Sequence, residues 1–267
     1  MMHGLKGSAA ACRGATSSQV SDVVTKYLIK LAINGETQDP FNSSQAVAFA
    51  SEFQIQVAMH LAAASAYGAL ISVDYGGPFW KQRLLHLTLK ELKAFVAPSD
   101  VTDPSFWGRL ALVAHVIACG NISAISKSMQ SMLVNMLMSD LLLIYPTDVT
   151  DELAQLMVTP DIMALQELVL AGIIKLAESA RPEVSKYVAS LLPAMLRILS
   201  RGILTGCGSM ALALQVLCTV CTFEDEKATL LAFKPAVESV LLQILDHPLC
   251  AFRQMVAETR NYWAILT

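Results

Sequence analysis

Apolar residues recur along most of this chain at intervals of three and four, the spacing that lines one face of an α-helix. Val184, Val188, Leu191, Leu192, Met195, Leu196 and Leu199 form one such stripe, and Val237, Val240, Leu241, Ile244 and Leu245 form a second. Phe252, Met255, Val256, Trp263 and Leu266 form a third near the C-terminus. No segment keeps the period of two that a half-buried strand requires. The pattern predicts helices over 43–68, 79–97, 105–119, 122–145, 151–179, 182–200, 208–222, 227–246 and 249–266.

Proline placement supports these boundaries. Nine of the ten prolines (Pro40, Pro78, Pro98, Pro104, Pro146, Pro160, Pro182, Pro235 and Pro248) are expected where helices begin or end. A missing amide costs nothing in a first turn, whose N–H groups have no intrahelical partner. Asp103-Pro104 and Thr159-Pro160-Asp161 read as a cap followed by a first turn, and Pro160 should split a short piece from 151–179. Pro193 alone falls within a helical pattern and predicts a kink.

The stripes also repeat. Leu192, Leu196 and Leu199 align with Val237, Leu241 and Ile244 at a separation of 45, and Leu165 aligns with Leu212 at 47. About 40–47 residues is the period of HEAT and armadillo repeats. One helix pair cannot cover its own apolar faces, so such pairs must stack on neighbours. The expected fold is all-α, a HEAT/armadillo-type α-solenoid of antiparallel helix pairs. About four to five repeats should fill 43–267, behind a poorly ordered tail and first short helix over 1–42.

Composition fits buried solenoid helices: 54% of residues are apolar and only 15% charged. Two windows without Asp, Glu, Lys or Arg, 53–73 and 202–223, approach the roughly 20 residues of a membrane span. Gln54, Gln56, His60, Ser65 and Gly68 interrupt the first, while Gly202, Gly206 and Gly208 shorten the second. Neither has flanking Lys/Arg clusters or aromatic belts, so no membrane association is expected. The formal net charge is −3, with no run of basic residues longer than two. A phosphate-binding stripe is therefore missing, and no direct nucleic-acid contact is expected.

Candidate chemistry is sparse. The six cysteines lack disulfide-framework spacing and read as free thiols of a reducing compartment. Cys218-Thr-Val-Cys221 supplies two ligands where zinc wants four, and reads as two small residues on a buried helix. The five histidines are scattered, with His60, His86 and His115 among apolar neighbours. Tyr75-Gly76-Gly77-Pro78 is a turn without the GK[ST] of a phosphate loop. No cofactor, metal or catalytic residue is expected, and the chain does not read as an enzyme.

The C-terminal residues carry a resemblance. Leu230-Leu-Ala-Phe-Lys-Pro-Ala-Val237, then Leu245-Asp246, then Arg253, Val256, Arg260 and Trp263, resemble the end of the MMS-nineteen family. These are also called nucleotide-excision-repair or cytosolic iron–sulfur assembly targeting proteins. Upstream, Lys81-Gln82-Arg83-Leu84-Leu85 followed by Leu92 and Phe95 is similar to another helix of that family. The resemblance spans 79–267, with its specific part in the tail. It implies the C-terminal HEAT region of a longer cytoplasmic and nuclear scaffold that holds no cluster itself. Its partners would be the WD-repeat propeller subunit, a small assembly subunit and apo iron–sulfur client enzymes of DNA repair and replication. Lys234, Arg253 and Arg260 are the partner-binding residues it would offer. One departure is local: His247-Pro-Leu-Cys-Ala-Phe252 stands where the family has several basic residues. A generic HEAT-repeat adaptor and a small helical membrane protein are the alternative readings.

Overall fold

The computed structural model describes residues 26–33, 48–72, 78–94, 100–145 and 159–267, with side chains described for all but 48–52, 78–81 and 202–205. The expectations for 1–25, the Tyr75-Gly76-Gly77 turn, Pro40, Pro98, Pro146 and residues 151–158 lie outside them. Every regular element among the described residues is helical. They divide into two compact units, Met1–Asn121 and Ile122–Thr267.

The first unit contains α1 (26–33), α2 (Ala48–Ser72), α3 (Pro78–Ala94) and α4 (Pro104–Cys119). As the sequence predicts, Asp103 caps α4, accepting from the Ser105 amide at 2.8 Å, with Pro104 in the first turn. Helix α2 runs four residues past its expected end at Gly68 and packs along α4. Small residues set how close the helices come. The Cα of Gly108 lies against the Ala32 carbonyl and the His60 ring, and Gly68 lies against the His115 ring. The His60 Nδ1–H donates to the same Ala32 carbonyl at 2.6 Å. Tyr67 is buried and bonded to the Thr88 hydroxyl, which in turn donates to the Leu84 carbonyl at 2.9 Å.

The second unit begins with a 3-10 turn (Ile122–Ala124). It continues through α5 (Lys127–Ile144), α6 (Pro160–Ser179), α7 (Arg181–Ser185), α8 (Val188–Ser200) and α9 (Gly202–Val220). A second 3-10 turn (Glu224–Glu226) leads to α10 (Lys227–Gln243) and α11 (Cys250–Ile265). Several boundaries differ from expectation: α9 begins at Gly202 and not at 208, and α10 ends at Gln243 and not at 246. The single helix over 122–145 is broken because the Ser126 hydroxyl caps α5 at Met129 N, and Gln130 Nε2 donates to the carbonyls of Ile122 and Ile125. The helix over 182–200 divides at Lys186 and Tyr187. Pro235, expected at a boundary, sits within α10. Its ring removes the bond to the Leu231 carbonyl, but Leu231 and Pro235 both face solvent, so water can take that bond's place.

Packing in this unit follows a rule. Helix α6 touches α9, and α9 touches α11; α5 touches α8, and α8 touches α10. The pairs α5·α6, α8·α9 and α10·α11 join the two rows. Side-chain bonds reinforce the stacking at a recurring sequence distance. Cys218 Sγ–H donates to Thr259 Oγ1 across 41 residues, and Trp263 Nε1 donates to the Leu217 carbonyl across 46. Arg181 binds the Thr222 carbonyl across 41 residues, its guanidinium 4.6 Å from the centre of the Phe223 ring. Ser131 binds Glu183, and Tyr187 binds Asn135, each across 52. Within α9 the path turns at Gly206, whose φ of +74° is one that L side chains rarely adopt.

Candidate interaction surface

Helix α11 buries Phe252, Val256, Thr259 and Trp263 along one stripe. This leaves Tyr262 (56% exposed) and Ile265 (75% exposed) in solvent. Leu249 precedes the helix and is also exposed, as are Leu231 and Leu242 on α10. Of the large apolar residues exposed among the described residues, the others are only Tyr27, Ile55 and Leu143. Most of the large apolar residues exposed among the described residues thus lie on the last helix pair and its link.

The three expected contact residues have different surroundings. Lys234 Nζ donates to the carbonyls of Ala264 at 3.1 Å and Leu266 at 2.8 Å. Those are among the last carbonyls of α11, which lack intrahelical partners, so Lys234 closes the helix end. Arg253 Nη1 donates to the carbonyls of His247 at 2.8 Å and Pro248 at 3.0 Å, bracing the link between α10 and α11. The His247 ring packs 4.4 Å from that of Phe252 in the same link. Arg260 is exposed. Only Arg260 therefore presents its charge outward; the other two cations engage this chain's own backbone.

A second basic feature was not among the expected site residues. The outward stripe of α8 runs Ser190, Pro193, Arg197 and Ser200, and Arg201 follows at the helix end. Arg197 and Arg201 stand four residues apart, one turn of helix, and both are half-buried. Arg197 Nε is buried and has no hydrogen-bond partner among the described residues. Burial, with the like charge of Arg201, pulls the Arg197 pKa below its ordinary value. The sequence holds a signal for this pair: from Tyr187 to Phe223 these are the only charged residues.

No group of three or more His, Cys, Asp or Glu could hold a metal among the described residues. Burial raises the thiol pKa of Cys218, opposed by its bond to Thr259, and pushes that of Cys221 up to about 12. Thiolates are the ligating and nucleophilic form, so both cysteines are chemically quiet. Burial also lowers the pKa of His60, against a smaller opposing effect of its bond to Ala32. Phe53–Ser72 is long and apolar enough to cross a membrane, with mean hydropathy 1.3, and just over half of its scanned window is buried within the protein. The second uncharged window does not continue straight: Gly206–Val220 and Glu224–Gln243 meet at 89°.

Comparison with protein-family models, with curated proteins and with solved structures finds no match to this chain.

Proposed function

We propose that this chain is a non-enzymatic scaffold, a HEAT-type α-solenoid that holds other proteins on its exposed helix faces. The observation that carries this reading is the double row in the second unit, α6–α9–α11 beside α5–α8–α10. Its side-chain bonds recur 41 to 52 residues apart. Quasi-periodic stacking of this kind leaves long surfaces available, and their use is characteristically binding. The apolar residues exposed on α10 and α11 give partners a place to dock.

The tail resemblance makes the reading more specific. It points to the cytosolic iron–sulfur targeting complex, with the WD-repeat propeller subunit as the partner of the α10–α11 pair and apo client enzymes held elsewhere. Affinity capture from cytoplasmic and nuclear extract tests this. The chain should enrich the propeller subunit, and removing residues 227–267 should abolish that enrichment. Enrichment that survives the deletion overturns the docking assignment. The stretch His247 to Phe252, where the family's basic residues are replaced, favours a second reading as a general HEAT-repeat adaptor. Capture of a consistent partner set without the propeller subunit would select it.

A further inference from the structure

We propose that the outward face of α10 pairs with the same face of a second copy of this chain, the two helices running antiparallel across a two-fold axis beside Ala236. The inference goes beyond the reading above: it assigns the α10 side of the last helix pair and leaves the α11 side to other proteins.

Helix α10 turns Leu230, Val237 and Leu241 inward, and it packs against α8 and α11. At about 100° per residue, the opposite side forms an exposed arc roughly 140° wide. Every exposed residue on it from Ala228 to Gln243 is uncharged. The exposed side of a surface helix ordinarily carries charge, as that of α11 does through Glu258 and Arg260. The arc has two edges, one with Leu231, Pro235 and Leu242, the other with Ala232, Ala236 and Ser239.

This layout fits a copy of itself. An isologous contact uses the same patch twice, and a two-fold axis perpendicular to antiparallel helices sets like edge against like edge. A centre beside Ala236 then places Leu231 of one copy across from Leu242 of the other. The small edges meet as well, and their short side chains let the helix axes approach closely. The same centre also orders the charges at the ends. Lys227 and Asp246, both exposed, lie four residues beyond Leu231 and Leu242, so each copy's cation comes level with the other's carboxylate. Parallel pairing would instead set cation level with cation. An uncharged interior with opposite charges at its rim is how protein interfaces are composed. One helix face is smaller than a standard interface, so the association is weak.

Sedimentation equilibrium of the full chain tests the proposal. Over about 1 to 300 μM the mass should rise from one chain to two and no further. Ala236→Arg and Ala236→Glu should each raise the concentration of half-association at least about tenfold, because each sets two like charges across the axis. Mixing those two variants should restore association, which a merely structural effect of the substitutions would not do. Leu242→Gln removes apolar contact alone; it should weaken association less, and it carries the test if a charged variant fails to fold. Ala257→Arg, on the exposed side of α11, should change nothing. A parent that stays monomeric, growth beyond two copies, or a dimer indifferent to Ala236→Arg and Leu242→Gln overturns the proposal. So does failure of the mixed variants to associate. Binding to phosphatidylcholine vesicles that Ala236→Arg abolishes, in place of dimerisation, would also overturn it by identifying a lipid-facing patch. A monomeric chain that captures the propeller subunit overturns this inference alone, whereas a dimer that captures no other protein overturns the scaffold reading alone.

Discussion

The two units are built on opposite tolerances. In the first, helices approach through missing atoms: Gly108 on the Ala32 carbonyl, Gly68 on the His115 ring, and buried Ala63, Ala64 and Ala66 along α2. In the second, the rows are held by large groups reaching across: Trp263 to Leu217, Arg181 to Thr222 and Phe223, Tyr187 to Asn135. The first unit should break when atoms are added, and the second when atoms are taken away. The division is one of emphasis, since in the second unit a Cβ at Gly208 would also stand 1.8 Å from the Glu167 carboxylate.

The sharpest expected break is Trp263→Ala. Trp263 is fully buried and its indole N–H donates to Leu217 across the row. Truncating a buried aromatic costs about 3–5 kcal/mol, and here the Leu217 carbonyl also loses one of its two donors, keeping the Cys221 amide. Chemical denaturation should show that loss in the transition of the second unit. A change under about 1 kcal/mol would mean that α11 is peripheral to the stack and that the stitched-row account is wrong.

The reciprocal test adds one methyl. A Cβ at Gly108 would stand 1.8 Å from the Ala32 carbonyl oxygen, a backbone atom that cannot rotate away. Gly108→Ala should therefore destabilise at or above the upper end of the usual overpacking cost of about 1–3 kcal/mol. Gly68→Ala meets the His115 ring at 2.3 Å, a side chain and not backbone, and should cost less. Equal effects at the two glycines would erase the distinction between backbone and side-chain contact.

A gentler probe acts through protons. Burial lowers the His60 pKa below 6.5, with its bond to Ala32 and the Asp103 carboxylate opposing more weakly. Well above pH 6.5 the ring is neutral in both folded and unfolded chains, and it takes nothing from stability. As pH falls from there towards the folded pKa, the unfolded chain takes up a proton that the folded chain refuses, and stability declines. The first unit should thus melt more easily at pH 5.5 than at 7.5. His60→Asn, which keeps a donor near Ala32, should flatten that dependence, and an undiminished slope in the variant would assign it to other groups.

How much of this was legible in the sequence follows the same division. Stripes of large apolar residues announce helices, so the helical character and most boundaries of α4 through α11 could be read directly. The break at Ser126 could not, because it depends on a side chain taking a backbone amide within a single turn, and the break at Tyr187 has no side-chain cap to signal it. Pro235 misled because a proline inside a helix is tolerable where its freed carbonyl meets water, and exposure is invisible to periodicity. Lys234 and Arg253 read as surface cations because the carbonyls that bind Lys234 lie 30 and 32 residues away and those that bind Arg253 lie in a loop. Arg197 and Arg201 were legible in the sequence as the only charged residues between Tyr187 and Phe223.

The smallest expected effect concerns the cysteines of α9 and closes the question raised by their CxxC spacing. Cys221 is half-buried, and burial reinforced by the neighbouring Cys218 pushes its pKa up to about 12. At pH 8 the thiolate share of Cys221 is then far below the roughly one in four of an ordinary thiol. Cys207 and Cys250 are exposed. Iodoacetamide at pH 8 should therefore label Cys207 and Cys250 well before Cys221, with Cys218 also slow because burial raises its pKa. Mass spectrometry of timed samples reads the order. Early labelling at Cys221, or rapid conversion of the pair to a disulfide under mild oxidant, would show that the end of α9 opens readily and would restore a redox role that its burial argues against.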